Sequence, residues 1–139
     1  MENQEKFSIV LFSGTVDKLV AAVTLVSGAA AMGKKVTIFL TFWGVMAFRK
    51  DDWKSNERFS VEYEDYAAPT MDRMHAKRVP PWLETLIGAM DVGDVTVKAC
   101  SATMELFDIK LEELEPVVTE VTGVATFVED AEGGTTLFI

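Results

Sequence analysis

This chain of 139 residues holds one cysteine, Cys100, and one histidine, His75. A lone cysteine cannot close an internal disulfide, and there is no Cys/His cluster with the spacing of a zinc site. Cys100 therefore either packs as a small hydrophobe, the commoner fate of a solitary cysteine, or works as a thiolate. Its place in the chain is one that would favour thiolate over thiol. It falls between an alternating run, Val95–Ala99 (VTVKA), and a helical stretch, Ser101–Phe107. At a strand-to-helix junction the free N–H groups of the first helical turn, here Ser101 and Ala102, can face the sulfur and favour its anion. The same donors suit a persulfide or thiosulfonate. A single thiolate with such donors can attack an outer sulfur, carry it and give it up to another thiol. Lys98 shares a strand face with Cys100 at period two and would lend positive potential if the strand end bends toward the site.

His75, in Met71-Asp72-Arg73-Met74-His75, would serve as a thiol-activating base or, with the methionines, a soft-metal ligand; a surface or interface histidine is the simpler reading. Trp43, beside Gly44, would wall a pocket over the sulfur, or else pack in the core or between subunits. Ser13-Gly14-Thr15 resembles a phosphate loop such as that of flavodoxins, but lacks the Ser/Thr-rich length and the later aromatic loops of a flavin site. The charged run Arg49–Arg58 reads as a solvated face, and Met71, Met74, Met90 and Met104 as packing.

Strands alternating with helices must position these groups. Phe7–Phe12 is a nearly continuous apolar run, as for a strand covered on both faces. A helix follows to about Met32 and ends at Gly33, where a left-handed residue is wanted. Val36–Phe42 is a second buried strand, completing a right-handed βαβ unit. Residues 44–81 read as a long irregular insertion. Pro80 and Pro81 precede a helix from Trp82 to about Met90; Val95–Ala99 is a third strand. Leu111–Glu115 is helical, Val117–Val121 a fourth strand, Val124–Ala131 a helix and Thr135–Ile139 a fifth strand. The pattern predicts a single domain over 1–139, an α/β fold built as a three-layer α/β/α sandwich on a mostly parallel five-stranded sheet. In such sheets functional groups gather at the carboxyl ends of strands, where Ser13-Gly14, Trp43-Gly44 and Cys100-Ser101-Ala102 converge.

Composition narrows the function classes. With 13 Lys and Arg against 22 Asp and Glu, the net charge is −9. Such a surface repels phosphate backbones and anionic lipid, so nucleic acid and stable membrane insertion are not expected, and basic protein partners are. The apolar run Leu19–Gly33 would span about 22 Å as a helix, short of the roughly 30 Å hydrocarbon core. A buried helix in a cytoplasmic protein is the expectation. An apolar fraction of 49% and a mean hydropathy of +0.18 are high for a small monomer, which argues for a homo-oligomer. No metal or cofactor is called for.

With these residues in view, the chain resembles the DsrE/DsrF-like sulfur-relay family, and within it the branch often labelled as DsrE-like peroxiredoxin-family proteins. The carriers are Ile9-Val10-Leu11-Phe12-Ser13-Gly14, Thr41-Phe42-Trp43-Gly44, the stretch from Ala99-Cys100 through Met104 to Phe107, and Gly123 to Ile139. The resemblance implies a compact five-stranded α/β/α domain, commonly oligomeric, whose cysteine, falling on Cys100, accepts sulfane sulfur. It implies exchange with TusA-like or rhodanese-like partners. Two departures stand out. Some relatives carry a second cysteine nearby, which this chain lacks, and Asp108 stands where many have glycine, a change expected to alter charge near the site. A lone cysteine without a Thr-x-x-Cys pattern gives no reason to expect peroxidase activity.

The resulting expectation is a sulfur carrier or sulfurtransferase component acting through Cys100, with Ser101 and Ala102 holding the anion and Ser13, Gly14, Trp43 and Gly44 shaping the pocket. The rival from another class is a non-catalytic homo-oligomeric binding module with an anion or nucleotide site near Gly14.

Overall fold

The computed structural model describes residues 4–139. Its strands are β1 (Lys6–Leu11), β2 (Lys35–Leu40), β3 (Asp94–Cys100), β4 (Val118–Thr122) and β5 (Thr135–Phe138). Its helices are α1 (Val16–Ala31), α2 (Trp43–Ala47), α3 (Ala67–Ala76), α4 (Trp82–Val92), α5 (Ser101–Leu106) and α6 (Val124–Ala131). The sheet order is β4-β3-β2-β1-β5, and every ladder is parallel rather than mostly so.

That order decides which face each helix covers. From β1 through β2 and β3 to β4 the chain always steps the same way, so right-handed crossovers put the intervening helices on one face. From β4 to β5 it steps back past β3, β2 and β1, and α6 must cross the opposite face. The side chains agree. On the first face Ile9, Leu11, Val36, Ile38, Leu40, Val97 and Ala99 pack against Leu19, Val23 and Val26 of α1, Leu83 and Leu86 of α4 and Met104 of α5. On the second, Val10, Phe39 and Cys100 meet only Phe127 and Ala131 of α6. The sandwich has three layers of very unequal thickness.

Small residues bring the thick layer together. Gly93 lies so close to Ala30 that a Cβ there would sit 2.7 Å from the alanine methyl. Gly33, at φ +78°, closes α1 as expected: its N–H bonds the Ala30 carbonyl and that of Lys34 the Ala29 carbonyl, a Schellman end. Among the described residues no helix is long and apolar enough to cross a membrane.

Residues 44–81 are more regular than the sequence suggested. They hold most of α2, 3-10 turns at Asp52–Lys54 and Val61–Tyr66, and the whole of α3. Pro69 lies in the first turn of α3, where its missing N–H has no helical partner to lose. Leu111–Glu115, expected to be helical, keeps only a 3-10 turn, Leu111–Glu113. Leu114 is drawn instead into an antiparallel bridge with Arg49. β4 starts one residue later than expected, beside an irregularity in register at Val97 and Lys98.

Candidate functional site

Cys100 closes β3 and caps α5, with φ −67° and ψ 122°. The backbone then turns toward the thick face, where Met104 is buried, but the sulfur belongs to the other cluster. Residue parity sets this: Ala99 is committed to the main core, so Cys100 and Lys98 look the opposite way. Cys100 is 7% exposed and lies with Phe39 and Phe127, whose rings stack at 4.5 Å and 11°. Ser101 and Ala102 are exposed in the first turn of α5. Lys98 extends beneath α6, its Nζ 3.5 Å from Asp130 and 3.8 Å from Glu120.

The neighbouring loop is held under strain. Thr41 accepts a bond from the Gly44 N–H at 3.0 Å, and Phe42 between them has φ 47° and ψ −114°. This is the first central position of a type II′ turn, normally glycine, and a phenylalanine there costs about 1–3 kcal/mol. Thr103, buried on α5, offsets the cost. Its Oγ1 accepts the Phe42 N–H at 3.1 Å and lies 3.4 Å from the Thr41 hydroxyl. The Phe42 ring packs among Phe12, Trp43 and Phe107 at centroid distances of 5.6, 5.9 and 6.1 Å. Gly44 is fixed by contact, since a Cβ would collide with the Leu11 carbonyl oxygen, and Gly14 likewise, its Cβ 2.6 Å from the Trp43 carbonyl oxygen.

These residues do not form one pocket. Ser13, Gly14 and Trp43 line a groove of about 620 Å³ with Lys18, Arg49 and Arg58; Cys100, Ser101 and Ala102 are not among its walls. Gly44 lies buried behind the loop. Cys100 lies instead with the cluster under α6.

Nor is the groove an open phosphate loop. The segment after the Asp52–Lys54 turn is strapped across it. The Val16 N–H, which would otherwise face an anion, bonds the Arg58 carbonyl at 2.7 Å. Asn56 donates to the Gly14 carbonyl at 2.9 Å, and Ser60 donates twice to Asp17 Oδ2. Arg49 is paired with Asp52 at 2.8 Å. Burial pushes the Asp17 carboxyl up, but the hydroxyls of Thr15 and Ser60 and the N–H groups of Ser60 and Lys18 outweigh it and hold it below the usual range. We ascribe most of that to Ser60, whose hydroxyl reaches Oδ2 at 2.8 Å; Thr15 Oγ1 and Asp17 Oδ1 are both buried without a partner in bonding geometry.

His75 is exposed in the last turn of α3. Among the described residues no group of three or more His, Cys, Asp or Glu is arranged to hold a metal ion. Asp108 has φ 52°, just past the end of α5. The Ile109 N–H bonds the Met104 carbonyl and that of Asp108 the Glu105 carbonyl, so this position closes a helix and wants a left-handed residue. Asp tolerates that conformation, which accounts for it standing where glycine was expected. Sequence reasoning missed Phe39, Phe127, Asp130 and Thr103. Only the shared parity of Lys98 and Cys100 was open to it.

An all-parallel α/β/α domain with a cysteine at the end of its third strand defines the structural class, and solved proteins share its shape. The chain is similar to protein MTH1491 from Methanobacterium thermoautotrophicum, of unknown function, with a TM-score of 0.60 at 14% identity over 98% of this chain and all of that one. It is also similar to the ychN protein of E. coli, with a TM-score of 0.56 at 15% identity over 97% of each. The uncharacterized protein YrkE of Bacillus subtilis (strain 168) is 32% identical, over 99% of both chains. The chain belongs to the DsrE/DsrF/DrsH-like family, whose model matches residues 3–79 and 59–138. Membership suggests sulfur relay in general.

Proposed function

We propose that this protein carries sulfane sulfur on Cys100, as a carrier or sulfurtransferase component. The observation that carries the reading is the place of the only thiol: at the carboxyl end of β3 and the start of α5, with exposed Ser101 and Ala102 following. The first-turn N–H groups have no partner within the helix and are the donors for an anion. In the loading step the Cys100 thiolate attacks the outer sulfur of a donor persulfide. The donor S–S bond breaks, a new S–S bond forms on Cys100, and the donor leaves as a thiolate. An acceptor thiolate then attacks that outer sulfur and Cys100 leaves as a thiolate, with no net oxidation. The partners are TusA-like or rhodanese-like proteins of the cytoplasm. The acidic exposed residues Glu105, Glu120, Glu129 and Asp130 suit a basic one. A homo-oligomer would cover exposed Trp43 and Phe138.

Incubation with tetrathionate or polysulfide, followed by mass spectrometry, tests the reading. Tetrathionate should leave a thiosulfonate on Cys100 and release thiosulfate. Cys100→Ser should take up nothing and move no sulfur between a rhodanese and a carrier; transfer by that variant would defeat the proposal. The groove beside Gly14 and Lys18 keeps a second reading in view, a binding module for a small anion. The Arg58 carbonyl on the Val16 N–H weighs against it.

A further inference from the structure

Cys100, whose sulfur must meet a partner, is a residue only 7% exposed, and one short helix packs over it. We propose that α6 is a lid on Cys100, hinged at Gly123 and Gly133 and held shut by the Phe127 ring and the Lys98–Asp130 ion pair. The proposal rests on the sulfur-carrier reading and names what controls access to that site.

The attachment of α6 is slight. Of its residues only Phe127 is buried, whereas α1 buries seven. Val124 and Val128 on the outer side are 60% and 61% exposed. Along the flank toward Thr136 a shallow groove of about 840 Å³ leaves space for the helix to move into. Local opening that uncovers so few apolar contacts lies at the low end of a protein's range.

Each end has a glycine with open space around it. Gly123 begins the helix, and a Cβ there would find only the Ser101 hydroxyl, at 3.9 Å. Gly133, at φ +84°, has nothing within 4 Å of such a Cβ. Gly134, by contrast, is clamped: its Cβ would lie 2.5 Å from the Lys6 carbonyl oxygen. Motion therefore stops before β5, and the sheet edge stays paired while the helix swings.

The latch can release without stranding a charge. Lys98 has a side chain 16% exposed, with Asp130 on α6 at 3.5 Å and Glu120 on β4 at 3.8 Å. When Asp130 departs with the lid, Glu120 remains, on the strand next to Lys98. A cation left alone in that setting would hold the lid shut; one with a second carboxylate does not.

The test is the rate at which iodoacetamide alkylates Cys100 in the folded full-length protein, followed by intact mass. The wild type should react at least tenfold more slowly than a cysteine peptide at the same pH. Phe127→Ala should react about tenfold faster than wild type, Phe127→Leu in between, and Asp130→Asn about threefold faster, on the scale of a lost packing or charge contact. Wild-type rates should stay flat in low urea, because a local opening exposes little surface. If Phe127→Ala does not fold, exposed Asp130→Asn carries the test. Wild-type labelling as fast as the peptide, unchanged rates in both variants, or rates that climb with urea as global unfolding does would each overturn the lid. Polysulfide loading of the same samples separates the two proposals. Fast alkylation of Phe127→Ala with no sulfur taken up leaves the lid and defeats the carrier, while loading of a freely labelled wild type does the reverse.

Discussion

One face of this sheet is roofed by α1 and α4 with α2 and α5 at its edge; the other has α6 alone. Both follow from a single topological fact, that the chain climbs from β1 to β4 in one direction and returns once. The thick face takes the long apolar helices and with them most of the burial that stabilises the fold. The thin face receives what strand parity leaves over: Val10, Phe39, Lys98 and Cys100. The lesson is a division of labour. Stability is concentrated where no chemistry is proposed, and the one cysteine sits under the thinner layer.

The comparison breaks most readily at its extremes. Leu86 of α4 is wholly buried, and Leu86→Ala should cost about 2–5 kcal/mol. Val128→Ala, on the outer side of α6, should change stability by less than about 0.5 kcal/mol in the monomer. Urea titration of both variants reads the difference. Equal costs would mean that α6 is as deeply built in as α4, and the asymmetry would be one of appearance only.

A smaller effect tests the seam between the two faces. Thr103 ties α5 to the strained turn at Phe42 through a bond of 3.1 Å. Thr103→Val preserves the shape but leaves the Phe42 N–H without that acceptor. Loss of about 1–3 kcal/mol is expected, with a change in Trp43 fluorescence as the turn relaxes. A variant as stable as wild type would show that the aromatic packing alone holds the turn.

How much of this was legible in the sequence follows the same line. The continuous apolar runs at β1 and β2 and the Gly33 stop of α1 could be read directly, because burial on both faces and helix ends leave local signals. The handover at Cys100 was legible for the same reason. The turn at Phe42 was not: a phenylalanine at positive φ gives no sign of itself and is held by Thr103, far along the chain. Phe127 over Cys100 is equally silent, since an amphipathic helix announces a buried face without saying what lies beneath it. The strap at Asn56–Ser60 escaped because polar residues that bond backbone groups look the same as polar residues in water. The loop after β1 gave no sign that this strap would take up the Gly14 carbonyl and the Val16 N–H.

A further, modest loss is predicted for that strap. The bonds from Ser60 to Asp17 exist only while the carboxylate is ionised, and the folded carboxyl is held below its ordinary value of 3.8. A carboxyl lowered on folding contributes stability that is fully present above the unfolded value and is lost as pH falls through the folded one. Asp17→Asn should therefore lower stability slightly at pH 7, by about 1 kcal/mol or less given the solvent exposure of the group. The gap to wild type should begin to narrow as pH falls below the unfolded value of 3.8 and go on narrowing as it passes the folded one. Thermal melts across that range, with Ser60→Ala as a parallel variant, provide the measurement. A gap that does not narrow at all below 3.8 would assign the loss to geometry rather than charge. A gap much larger than this at pH 7 would mean that the thick face rests on its polar strap as well as on burial, and the division between the two faces would have to be redrawn.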